Sequence, residues 1–133
     1  EVKGYVEEGR RIPYQTTFAG LYERAAAHQN QPPFDLPPRW LKRKNKLDPA
    51  TPFNFVSTSD IIGGNSGSPV LNRQAEFVGI IFDGNIQSLV LDFIYTDTQA
   101  RALAVNSQAI LAALERVYDA GALAAELRAG RVR

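Results

Sequence analysis

Apolar positions recur at two different spacings along this chain. Between residues 53 and 105 they come in short bursts: Phe53-Asn54-Phe55-Val56-Ser57, Pro69-Val70-Leu71, residues 76–82 and residues 101–105. Bursts bounded by glycine, proline and small polar residues read as strands. Residues 76–82 are apolar on both faces, so that strand is expected to be buried. Val2, Tyr5 and Val6 stand among charges and predict a lead-in strand over residues 2–8. Elsewhere the spacing is helical. Residues 18–28 carry Leu21 and Tyr22 on one side beside an alanine run. Ile110, Leu111, Leu114, Val117 and Tyr118 repeat at helical period after Asn106 or Ser107 as cap. Gly121 is expected to end that helix, with a shorter one over residues 122–128. Residues 31–38 contain four prolines and predict an irregular connector. Residues 84–98 show no period and read as a loop. The expected fold is mostly β with C-terminal helices: an antiparallel barrel with a helix packed against it. It forms one domain, with residues 1–50 as lead-in, 51–106 as barrel strands and 107–129 as helices.

Composition narrows the chemistry. The chain has 133 residues, 44% of them hydrophobic, and a net charge of +1. That size suits one domain with a sizeable core. The small net charge argues against nucleic acid as a partner. Five of the eight residues 39–46 are basic, and this run reads as a solvated face anchored by Trp40 and Leu41. No apolar run is long enough to span a bilayer. The sequence has no cysteine, which excludes a thiol nucleophile, disulfides and thiolate metal sites. One histidine, His28, is too little for a histidine metal site, so no metal or cofactor is expected. An opening on Glu1 rather than Met reads as a cut piece.

The chemistry concentrates in Gly63-Gly64-Asn65-Ser66-Gly67-Ser68-Pro69-Val70. A glycine-flanked serine before Gly-x-Pro and an apolar run is how chymotrypsin-like peptidases present their nucleophile. Acyl transfer needs an exposed hydroxyl and backbone N–H groups converging on the substrate carbonyl oxygen. Here Ser66 is the candidate nucleophile, and the N–H groups of Gly64 and Ser66 are the candidate oxyanion hole. The same residues also make a good flexible turn between two strands. Ser68, the rival hydroxyl, directly precedes Pro69 and reads as the start of the next strand.

Three further residues bear on the reaction. Asp60 lies six residues before Ser66, the spacing that puts a carboxylate at the base of a trypsin-like specificity pocket. Ile61 and Ile62 would make that pocket apolar, and a solvated or capping aspartate is the alternative. Asp83 ends the strand expected to run beside a bound peptide. A carboxylate there would close the groove and hold a free amino terminus, although Asp83-Gly84-Asn85 also reads as a hairpin turn. His28 reads as a surface histidine at a helix end, so a complete triad is not expected within these residues.

Taken together, these segments resemble the carboxy-terminal part of bacterial dipeptidyl-peptidases of the 7 and 11 family. The resemblance runs through residues 17–24, 36–40 and 52–58, then the serine loop, Phe82-Asp83-Gly84-Asn85 and residues 101–105. It implies a serine exopeptidase with a chymotrypsin-like double barrel, of which this chain is the C-terminal half. Ser66 would be the nucleophile and Asp83 the ligand of the substrate's terminal amine. Gly84 corresponds to the position that separates the family's branches: arginine there goes with acidic preference before the cleaved bond, glycine with an open apolar pocket. Asp60 also matches, including in members preferring apolar residues. The family's catalytic histidine and aspartate lie upstream of anything present here, so the chain is expected to be inactive alone. Peptides are the implied substrates, the periplasm or cell surface the implied location. A homodimer is expected from the barrel face left exposed. A chymotrypsin-like endopeptidase and a non-catalytic peptide-binding or dimerisation domain are the alternatives.

Overall fold

The computed structural model describes residues 1–130, which form two compact units. The first joins Glu1–Thr16 to Pro52–Ser107 and contains most of the sheet structure. A hairpin opens it, pairing β1 (Tyr5–Glu7) with β2 (Arg10–Ile12). Its two-residue turn has positive φ at both Glu8 (47°) and Gly9 (76°), the hand that matches the twist of hairpin strands. The lead-in strand expected over residues 2–8 is therefore shorter, and Val2 makes only an isolated bridge to Ser57.

The main sheet has five strands: β3 (Gln15–Thr17), β4 (Pro52–Ser57), β5 (Pro69–Leu71), β6 (Phe77–Gly84) and β7 (Ala102–Asn106). Their spatial order is β3-β4-β7-β6-β5, and the pairs β4–β7, β7–β6 and β6–β5 are antiparallel. The core lies against β7. Ala102 and Ala104 there are fully buried, and their small side chains admit Phe55 from β4 and Ile81 from β6. Ile61, Val70 and Val78 close the edges of this cluster.

Gly79 fits the Phe55 ring to β6. A Cβ at Gly79 would lie 2.6 Å from Phe55 Cε1 and 2.5 Å from the Val105 carbonyl oxygen. Gly79→Ala is expected to destabilise the chain by about 1–3 kcal/mol, as overpacking a closed core does. Chemical denaturation checks this, and an unchanged midpoint would show that both the Phe55 ring and the β7 backbone give way.

Strand β6 is not buried on both faces, as its composition had suggested. Gly79 and Ile81 are buried, whereas Phe77 and Phe82 are exposed. The strand's other face, formed by Val78, Ile80 and Phe82, is covered only in part, and the strand ends in a bulge. Ile81 pairs with Ala104 and Asp83 with Leu103, so Phe82 is an extra residue in the ladder. Adjacent ladder positions face opposite sides. Asp83 is thereby turned to the face opposite Ile81, where regular alternation would have put both on one side.

The 84–98 segment is more ordered than a loop. Strand β6 runs through Gly84, which removes the hairpin-turn reading of Asp83-Gly84-Asn85. Ile86–Asp92 then forms a 3₁₀ helix. Asn85 starts it by accepting at its carbonyl both the Ser88 N–H (2.8 Å) and the Ser88 hydroxyl (2.7 Å).

The second unit joins Thr17–Thr51 to the chain from Gln108 onward and is helical. Thr17 caps α1 (Phe18–Ala27), accepting the Gly20 N–H at Oγ1, and α1 buries Phe18, Tyr22 and Ala25 at helical spacing. The basic run forms α2 (Pro38–Arg43), opened by proline at its first position, and a 3₁₀ turn over Lys44–Lys46. Trp40 is its anchor: the ring meets Phe18 edge-on at 5.8 Å and donates from Nε1 to the Tyr118 hydroxyl at 3.0 Å. Leu41, the other expected anchor, is 44% exposed. Arg43 holds Asp119 through two bonds of 2.8 and 2.5 Å, which lowers the Asp119 carboxyl below its usual value. Helix α3 (Ser107–Ala112) widens into a π-turn over Ala113–Val117. The helical run ends there, and Asp119 turns left-handed (φ 57°). Gly121, expected as the stop, instead begins α4 (Gly121–Ala129).

Candidate active site

Residues 62–68 form a closed loop between β4 and β5. The Asn65 side chain accepts the Ile62 N–H at 2.8 Å, and the Asn65 N–H donates to the Ile62 carbonyl at 3.1 Å. Ser68 N–H then returns to the Asn65 carbonyl at 2.9 Å. Two glycines make this path open to the backbone: Gly64 has φ 102° and Gly67 φ 92°, values that side chains disfavour. The loop is pinned to β6 as well. Gly67 N–H donates to the Ile81 carbonyl at 2.8 Å, and Ile81 N–H donates to the Ser68 carbonyl at 3.0 Å.

Ser66 is exposed at the crest of this loop, and its hydroxyl donates to the Phe82 carbonyl at 3.3 Å. Phe82 is the bulged residue.

A cleft of about 200 Å³ opens beside Ser66. Ser66, Asp83 and Gly84 all line it, although 16 or more residues separate the serine from the other two. Ile61, Ile62 and Leu89 supply apolar wall, with Ile81 and Phe82 behind, and Ser88 and Asp92 also line it. The Asp83 carboxylate is exposed and accepts the N–H of Gly84 at 2.8 Å.

The other expected residues lie elsewhere. Asp60 and Ser68 line a neighbouring groove with Pro69, Val70 and Leu71, not the Ser66 cleft. Gly64 sits in the loop one residue ahead of Asn65. His28 belongs to the helical unit and stacks on Phe34, with ring centroids 3.8 Å apart.

Two residues that organise the site gave little sign of it in the sequence. Asn85 ties the end of β6 to the returning chain: its side chain donates to the Gln99 carbonyl at 2.7 Å and accepts the Arg101 N–H at 2.8 Å. Arg101 is only 1% exposed. Its guanidinium donates to the carbonyls of Lys3, Gly4, Asp97 and Ala100 at 2.7–3.0 Å, and lies 5.6 Å from the Tyr5 ring. It thus fastens the N-terminal segment and the 97–100 turn to the start of β7. An asparagine directly after a strand is a recognisable starter of a turn. A lone arginine carries no such signal, because charged residues are usually exposed.

Comparison with known proteins establishes the class. The family model described as Peptidase S46 matches residues 1–129. Dipeptidyl-peptidase 7 of Capnocytophaga gingivalis is 32% identical over 106 residues, 74% of this chain and 14% of that protein. The Asp/Glu-specific dipeptidyl-peptidase of Shewanella putrefaciens is 40% identical over 78 residues, 59% of this chain and 11% of that protein. Porphyromonas endodontalis DPP11, solved in complex with the dipeptide Arg-Asp, superposes with a TM-score of 0.82 at 25% identity. That match covers 96% of this chain and 19% of that one. The chain belongs to the S46 peptidases and, within them, to the bacterial dipeptidyl-peptidase 7/11 family. It spans about one fifth or less of the length of these relatives.

Proposed function

We propose that Ser66 is the nucleophile of a dipeptidyl-peptidase that releases dipeptides from free peptide amino termini. The observation that carries this reading is the meeting of Ser66, Asp83 and Gly84 in one cleft. In this reading the Ser66 hydroxyl attacks the carbonyl of the second residue, and the Gly64 and Ser66 N–H groups receive the oxyanion. Asp83 accepts the substrate's ammonium group and so fixes the distance from the amino terminus to the cleaved bond. The residue before that bond enters the space beside Gly84, between Ile61, Ile62 and Leu89, which favours apolar side chains. Relatives of both the dipeptidyl-peptidase 7 and the Asp/Glu-specific kind are similar to this chain, so the uncharged Gly84 is what supports the apolar choice.

The hydroxyl of Ser66 rests on a peptide carbonyl, which cannot take its proton. The base is assigned to a histidine outside these 133 residues, oriented by an aspartate. The five-stranded sheet is assigned as the nucleophile-bearing barrel of a chymotrypsin-like pair, because the loop between its strands β4 and β5 carries Ser66. The periplasm or cell surface is the proposed location.

The test uses paired reporters with an apolar second residue, one with a free amine and one acetylated. The complete enzyme carrying this sequence is expected to cleave only the free one, and the 133-residue chain alone to resist fluorophosphonate labelling. Equal cleavage of both reporters would make it an endopeptidase. Stoichiometric labelling of the isolated chain would place the base within it.

A further inference from the structure

We propose that Ser88 is a specificity-determining residue, and that it acts with Gly84 as a single steric unit at the floor of the cleft. This rests on the reading of the cleft as the pocket for the residue before the cleaved bond.

The argument starts from what glycine does at position 84. Its φ lies outside the left-handed region, so backbone conformation does not require glycine there. Space does. A Cβ built on Gly84 would lie 2.1 Å from Ser88 Oγ and 3.1 Å from Ser88 Cβ. The next neighbour, the Arg101 carbonyl oxygen, is at an ordinary 3.6 Å. The Ser88 side chain therefore occupies the volume that a side chain at 84 would need.

Ser88 is also held in that position. Its hydroxyl and its N–H both donate to the Asn85 carbonyl. Asn85 is in turn fixed to Gln99 and to Arg101, whose guanidinium is buried. Rotating the hydroxyl away would break its bond to Asn85, and the 3.1 Å approach of the two Cβ positions would remain. A residue larger than glycine at 84 thus conflicts with a braced 3₁₀ helix rather than with open solvent.

The consequence concerns how this pocket can change. Ser88 and Leu89 lie on the same 3₁₀ helix and both line the cleft. An arginine introduced at 84 cannot run its stem into the cleft past Ser88. The identity of residue 88 therefore decides whether residue 84 can read the substrate at all.

Two measurements decide this. The first is a thermal-unfolding cycle on the complete enzyme with Gly84→Ala, Ser88→Gly and the double variant. Gly84→Ala is expected to lower Tm clearly when Ser88 is present and by less than half as much when residue 88 is glycine, the signature of residues in direct contact. Equal shifts in both backgrounds would overturn the steric unit.

The second compares acidic with apolar reporters in the complete enzyme. Gly84→Arg alone is expected to change the ratio of their kcat/KM values by less than about threefold, and Gly84→Arg with Ser88→Gly by about tenfold or more toward acidic, within reach of one pocket contact. A single variant that shifts the ratio as far as the double would overturn the role of Ser88. Wild-type enzyme that cleaves neither reporter would refute the pocket reading instead, and the unfolding cycle would still decide whether the two residues form one unit.

Discussion

Ser66→Ala in the complete enzyme is expected to reduce turnover of a free-amine dipeptidyl reporter on the order of a million-fold, the loss seen when a serine nucleophile is removed. The size of the effect follows from the chemistry. Without Oγ no acyl-enzyme forms, and the remaining contacts only bind and polarise the peptide. Folding should be untouched. Ser66 is exposed, and its hydroxyl donates only a long hydrogen bond, of 3.3 Å, to the Phe82 carbonyl among the described residues. Unchanged circular dichroism and Tm, with loss of fluorophosphonate labelling, would make the loss catalytic. Ser68 supplies the control, because it lines the groove with Asp60 and not the Ser66 cleft. Full labelling of Ser66→Ala, abolished by Ser68→Ala, would transfer the nucleophile to Ser68.

Asp83→Asn carries the second large effect. Substrate would cover this exposed carboxylate and pair it with an ammonium group. Truncating one partner of such a desolvated pair costs roughly 2–5 kcal/mol, or about 30-fold and upward in kcat/KM for free-amine reporters. The acetylated reporter has no charge to lose, and its residual cleavage should not fall. The ratio of the two substrates is therefore the diagnostic, more than either rate. Asparagine keeps the shape of aspartate and an oxygen for the Gly84 N–H, so the local turn is preserved. A uniform fall on both substrates would give Asp83 a structural role and refute amine recognition.

Much of this site could be read before the structure was known, because it is local in sequence. The Gly-Gly-Asn-Ser-Gly-Ser run has to turn tightly, and positive φ at Gly64 and Gly67 is what its glycines allow. Strands at 52–57 and 69–71 followed from short apolar bursts between turn formers. The readings that changed depend on distant partners. Apolar residues on both faces predicted a buried strand over residues 76–82, but how far each face is covered depends on what packs against it, and the bulge is set by pairing with β7 and leaves no mark on the period. The 3₁₀ helix at Ile86–Asp92 lacked periodicity because it is organised by Asn85 and braced by Arg101, not by an apolar face of its own. Gly121 looked like a helix stop, yet Asp119 had already taken the left-handed conformation while holding Arg43. Ser88 escaped notice for the same kind of reason: its importance is a distance to a glycine, and glycine offers no side chain to pair with it in a pattern.

The extra residue in β6 also separates two kinds of constraint along one strand. Ile81 is pressed against Ala104 in the core, and a change in its volume is felt by the whole sheet. Two residues later, Asp83 faces the other way, with its carboxylate exposed at the cleft. Regular alternation would have tied them together, so that altering one meant repacking around the other. With Phe82 inserted, substitutions that tune recognition at 83 can accumulate without disturbing the residues that keep the sheet folded. The bulge makes this end of the strand open to change while the rest of it stays fixed.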